Sequence, residues 1–153
     1  MLLSAARSDI FNAALDRRVA RGDWDRGIDG DVFMLAGSHS VFGPVEIDES
    51  IRARLAAFDI HPTGPMWGRG ELRTQGEAQA IEAAVAADHH ELCQGLEAAG
   101  LKQERRSLRL PVVALAWDWQ GEDALELSFQ LPAGAYATTV LREIGDVQDP
   151  QRA

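Results

Sequence analysis

The chain has 153 residues, 46% of them hydrophobic and 25% charged, with a net charge of -9. That is material for one domain of ordinary size with a real core. The acidic balance argues against non-specific nucleic-acid binding across the whole surface, because such binding needs Lys and Arg to neutralise phosphates. No apolar run approaches the roughly 20 residues that a bilayer requires. One cysteine, Cys93, forms no internal disulfide. The start, "MLLSAARSDIFN", lacks the basic n-region and long apolar stretch of a signal peptide, so the expectation is a cytoplasmic protein with no membrane contact.

Residues 4–21 read as a helix capped by Ser4, with Ile10, Ala14, Leu15 and Val19 on its apolar face, Phe11 beside them, and Gly22 as its stop. "DVFMLA" (31–36) and "SVFGPV" (40–45) read as short strands around "GSH", the second an edge strand at best because of Pro44. Residues 46–58 read as a short helix with Ile47, Ile51, Leu55 and Phe58 on one side. "HPTGPMWGRG" (61–70), with two prolines and three glycines, reads as a loop. Residues 73–99 are alanine-rich and predict a long helix stopped by Gly100. Residues 107–119 predict a strand interrupted by Pro111, followed by a "QGED" turn. Leu125, Leu127, Phe129 and Leu131 then alternate with polar residues, the clearest period-two signal in the chain, predicting a half-buried strand hairpinned to the one before. A Pro-Ala-Gly corner leads into a short helix over 135–144, and the tail "GDVQDPQRA" reads as disordered. Helices and antiparallel strands fall in segregated runs, which makes the class α+β.

Few constellations carry chemistry. "HHELC" sets His90 and Cys93 one helical turn apart, but a zinc site needs three or four ligands and the remaining histidines are scattered. "GPMWGRG" lacks the Gly-Lys-Ser/Thr of a phosphate loop. Trp67, with Arg69 and Arg73 close behind it, reads either as a base-stacking ring or as an anchor for its own loop. "DGD" (29–31) is explained by turn hydrogen bonding rather than acid–base catalysis. Arginines cluster at 17, 18 and 21 and at 105, 106 and 109. They read as a local basic face or as solvated faces with salt bridges.

Several stretches together point further. "LSAARSDIFN", "GDVFMLAGS", "HPTGPMWGRG", "EAAVAAD" and "LPAGAYATTVLRE" resemble, in order and spacing, the tRNA pseudouridine synthase D (TruD) family. The resemblance covers nearly the whole chain. It implies isomerisation of a tRNA uridine, position 13, to pseudouridine without a cofactor and without a metal, tRNA being the partner. Family members act through an aspartate in a motif of the form Gly-x-Lys-Asp-x-x-Ala-x-Thr-x-Gln. No such motif occurs here, nor does the family's "FGxQRFG" stretch. "LRTQGEAQA" has a Thr-Gln pair with no Lys-Asp before it.

The resemblance therefore implies a TRUD insertion domain plus the C-terminal strands and helix of an incomplete pseudouridine synthase catalytic fold. Its expected divisions are a helix at 1–22 belonging or linking to the catalytic domain, the insertion domain at 23–106, the return to the catalytic domain at 107–144 and a tail at 145–153. No catalytic residue is expected in this chain. Tyr136, its only tyrosine, matches the position where the family carries an aromatic beside the target base, and Arg142 matches a family position suited to a carboxylate or a phosphate. The alternatives are a non-catalytic RNA-binding module, or half of a split enzyme that needs the missing N-terminal catalytic half as its partner.

Overall fold

The computed structural model describes residues 2–133, 135–146 and 148. The chain is α+β and divides into two compact units, Met1–Arg109 and Leu110–Ala153. In the first, α1 (Leu2–Arg21), α2 (Glu49–Ala56), α3 (Gly76–Asp88) and α4 (His90–Ala98) accompany strands β1 (Phe33–Leu35), β2 (Val41–Phe42), β3 (Ile60–Met66) and β4 (Glu104–Ser107). Helix α1 buries Ile10, Phe11, Ala14 and Arg18. Val19, expected on that face, is 53% exposed. At about 100° per residue, Val19 lies roughly 180° round the helix from Ile10, whereas the four-residue steps from Ile10 through Ala14 to Arg18 stay on one stripe.

The four strands form an antiparallel sheet in the order β2-β1-β3-β4. The edge position expected for the Val41 strand is correct, and Pro44 falls outside it. The expected loop at 61–70 is instead largely β3, a central strand whose first six residues are buried. Its two prolines are tolerated because the two neighbours share its length. β1 pairs with Ile60, His61 and Pro62, and β4 pairs with Thr63 to Met66. A strand residue sends its N–H and C=O to the same side. The Pro62 carbonyl accepts from Leu108 N–H at 2.8 Å at the end of the β4 ladder, so the missing N–H of Pro62 would serve only that terminal pair. Pro65 lies beyond the end of the β1 ladder.

The expected single helix over 73–99 is two helices joined at His89, whose φ and ψ are -114° and 32°. The His89 backbone N–H and ring Nδ1 both lie within about 3 Å of the Val85 carbonyl oxygen, 3.0 and 2.9 Å respectively, so side chain and backbone meet at one oxygen. The bend lets Val85 of α3 and Cys93 and Leu96 of α4 join Ile10, Ala14 and Trp67 in one core cluster. A second cluster joins Phe33, Ile51, Leu55 and Ile60, with Ile47 against it. Phe58, expected on the same side, is outside it and 47% exposed.

The second unit holds β5 (Val113–Gln120), β6 (Ala124–Gln130) and α5 (Ala137–Ile144). The strands form the expected antiparallel hairpin. The predicted strand over 107–119 is, however, split. Ser107 ends β4 in the first sheet, and β5 starts six residues later. Trp117 faces Leu127 and Trp119 faces Leu125, so these four side chains share one face of the ribbon. Leu127, Phe129 and Leu131 are half-buried, as the alternation predicts, while Leu125 and the facing tryptophans are exposed. Trp117 is 67% and Trp119 61% exposed, because a two-stranded ribbon has no second layer of its own. Most of the predicted tail disorder concerns residue 147 and residues 149–153, which lie outside the described residues.

Candidate functional site

The corner after β6 builds a candidate site from local geometry. The Ala135 N–H donates to the Pro132 carbonyl at 3.1 Å, which closes the turn. Gly134 of this corner lies outside the described residues. Tyr136 follows with φ -111° and ψ 125°, extended backbone at the cap of α5, and its carbonyl accepts from Thr139 N–H at 3.0 Å. Its ring makes no capping bond and is 75% exposed. A core-packing role for this ring within the described residues is excluded by that exposure. Arg142 sits in the last turn of α5, exposed, and makes no hydrogen bond or salt bridge among the described residues. Six helical residues separate the two by about 9 Å along the axis and about 240° of rotation. The helix therefore presents them at opposite ends rather than converging on one atom.

Other candidates resolve into structure. Trp67 is 9% exposed, and its Nε1–H donates to Glu97 Oε1 at 2.9 Å, so it anchors its own loop. Arg69 Nε donates to the Glu97 carbonyl, and Arg73 Nε to the Gly43 carbonyl at 3.3 Å. Cys93 is buried, and burial pushes its thiol up to about 11, far from a reactive thiolate. Among the described residues no group of three or more His, Cys, Asp or Glu could hold a metal. A cleft of about 570 Å³ lies between Gly27–Gly30, Pro44–Ile47, Arg52 and Gln75–Gly76.

The arginine clusters divide between interior and surface. Arg18 reaches Asp31 with both terminal nitrogens, at 2.9 and 3.0 Å, and Asp23 with Nε at 2.7 Å. Asp31 is fully buried and also accepts from Ile28 N–H at 2.9 Å. Burial raises its carboxyl above the usual range, while Arg18 pulls it back. Arg105 forms a fork to Glu82 at 2.7 and 2.9 Å, and Thr74 Oγ1 donates to the same carboxylate at 2.9 Å. Arg109 donates to the carbonyls of Leu55, Ile60 and Asp25 and to His61 Nδ1. Arg17 and Arg21 pair on the surface with Asp88 and Glu77. For Arg18 the sequence carried a signal, its place eight residues from Ile10 on the apolar stripe. For Arg105 and Arg109 it carried none, because their partners are 23 to 84 residues away.

The family model of tRNA pseudouridine synthase D (TruD) matches residues 1–144. A tRNA pseudouridine synthase D of Xanthomonas campestris pv. campestris (strain B100) is 56% identical over 99% of this chain and 42% of its own length. That of Nitrosococcus oceani is 51% identical over 97% of this chain and 42% of its length. A crystal structure assigned to TruD of Methanosarcina mazei superposes with a TM-score of 0.72 at 25% identity, covering 90% of this chain and 36% of that one. This chain thus spans less than half the length of the relatives it matches. With a family match running from the first helix to the end of α5, through the Tyr136 corner, the chain belongs to the tRNA pseudouridine synthase D (TruD) family.

Proposed function

We propose that this chain works within a tRNA pseudouridine synthase, converting uridine 13 of tRNA to pseudouridine, and that it supplies the substrate-facing corner rather than the catalytic carboxylate. The observation that supports this reading is Tyr136, 75% exposed at the mouth of α5 inside a family match that ends at residue 144. A uridine inside folded RNA must leave its stack to be isomerised, and an exposed ring is a surface on which a flipped base rests. Arg142, exposed and without an ion pair among the described residues, would steady a phosphate or a carboxylate of the catalytic half. Residues 23–106 are proposed as the TRUD insertion domain, and 107–144 as the return to the catalytic fold. The uncovered face of Trp117, Trp119 and Leu125 then docks on an N-terminal catalytic half. A cytoplasmic location fits a tRNA substrate, and no helix among the described residues is long and apolar enough to cross a membrane.

Mixing this chain with an N-terminal piece of a related synthase tests the proposal. Neither piece alone should form pseudouridine in unmodified tRNA, since the Lys-Asp motif is absent here, and the mixture should. Activity of this chain alone after rigorous purification, or docking without activity, would overturn it.

A further inference from the structure

Three helices of the first unit end in the same hydrogen-bonded motif. The N–H of the residue past the cap bonds three residues back, and the next N–H bonds five back. In α1 these are Gly22 to Val19 and Asp23 to Arg18, and in α4 Gly100 to Glu97 and Leu101 to Leu96. In α2 they are Phe58 to Leu55 and Asp59 to Arg54. The motif puts its first residue in the left-handed region, with φ of 72°, 82° and 58° at Gly22, Gly100 and Phe58. Glycine is the usual occupant because a Cβ is disfavoured there. At α2 the chain places a phenylalanine, and its ring is 47% exposed, so core burial does not account for it.

Two polar side chains meet the ring. The Arg109 guanidinium carbon lies 4.2 Å from the ring centroid. The His61 ring meets its edge at 6.0 Å, tilted by 67°. Arg109 is held by three carbonyls and a histidine nitrogen, and no carboxylate pairs with it among the described residues. Nearby, Arg54 pairs with Asp59 at 2.5 Å, and Arg26 lies 3.8 Å from Asp25, whose carbonyl Arg109 also binds. The patch therefore carries one uncompensated positive charge on a chain of net -9. The Arg26 side chain is 78% exposed.

We propose that Phe58 is a stacking platform for an unpaired RNA base, separate from the Tyr136 corner, with Arg109 behind the ring and Arg26 toward the adjoining phosphate. The ring carries a guanidinium against it, and an exposed arginine stands by the Asp25 segment that Arg109 binds, a pairing of aromatic face and cation that suits a base with its phosphate. The inference rests on the tRNA reading above.

The test is fluorescence anisotropy of the full chain with a labelled single-stranded oligouridylate, at a temperature where circular dichroism shows every variant folded. Phe58→Gly suits the left-handed backbone, so it removes the ring without straining the turn. Its affinity should fall by about five- to a hundredfold, with the slope of log affinity against log salt unchanged, while Phe58→Trp retains binding. Unchanged affinity in Phe58→Gly would overturn the platform, whether the ring only covers Arg109 or receives a protein. If the wild-type chain fails to bind the oligonucleotide while the two-piece mixture makes pseudouridine, the platform fails and the proposed function stands. Binding weakened by Phe58→Gly in a mixture that makes no pseudouridine supports the platform and sinks the enzymatic reading.

Discussion

Single residues separate chemistry from scaffolding in this chain. With its ring 75% exposed, Tyr136 is free of structural duties among the described residues. On the proposed role, Tyr136→Phe should therefore be mild in the two-piece mixture, since the ring and not the hydroxyl would provide the stacking surface. Tyr136→Ala should cost on the order of 1–3 kcal/mol, about five- to a hundredfold in turnover, with docking affinity unchanged. A loss confined to docking would assign the ring to packing. Asp31 is the opposite case. Removing it leaves the Arg18 guanidinium, whose side chain is 5% exposed, with Asp23 as its remaining carboxylate, and breaking a buried pair on one side costs up to about 3–5 kcal/mol. Urea denaturation should show Asp31→Ala losing stability on that scale, and the Arg18→Met, Asp31→Leu double variant losing less than the single one.

At the scale of elements, the join of α2, β3 and the end of the first unit depends on one proton. Arg109 Nε donates to His61 Nδ1 at 3.1 Å, so this nitrogen must be unprotonated. His61 is 5% exposed, and burial, then the Arg109 charge, hold its pKa below the ordinary 6.5. A depressed folded pKa means that the unfolded chain binds the proton first. This contribution is fully present above pH 6.5 and is lost as pH falls from there through the folded pKa. Urea midpoints should decline over that acid window. His61→Asn, whose Oδ1 can replace the accepting nitrogen without titrating, should flatten the decline. An unchanged slope in His61→Asn would show that other groups carry it.

For the whole molecule, the two units differ in how much of their apolar surface they cover. The first has two core clusters and two buried Arg–carboxylate pairs. The second exposes both tryptophans of its hairpin, and no residue of α5 is buried. Hydrogen exchange on the isolated chain should therefore protect β3 and α1 far more than β5 and β6. Residues 1–109 expressed alone should unfold cooperatively at nearly the temperature of the full chain. Adding the N-terminal piece should blue-shift tryptophan emission, since Trp117 and Trp119, the two most exposed of the four tryptophans, would leave water, while Trp24 is 37% exposed and Trp67 is already buried. An unshifted spectrum in a mixture that has docked would place the contact elsewhere.

The sequence by itself determined the α+β class, the Gly22 and Gly100 helix stops, the edge strand before Pro44, the β5–β6 hairpin and the family. Each depends on local periodicity, on glycine's access to positive φ, or on ordered motifs in one chain. Tertiary structure alone decided that "HPTGPM" is a central strand, because only the division of its length between β1 and β4 makes two missing N–H groups tolerable. It decided the break at His89, where two helix segments bend to reach one core. It sent Arg105 of β4 inward to a carboxylate on α3 and Arg109 to carbonyls on separate segments, while Arg106 of the same cluster stayed exposed. It also left Trp117, Trp119 and Leu125 of the hairpin exposed. Periodicity specifies which side chains share a face, but what buries that face depends on surfaces distant in sequence.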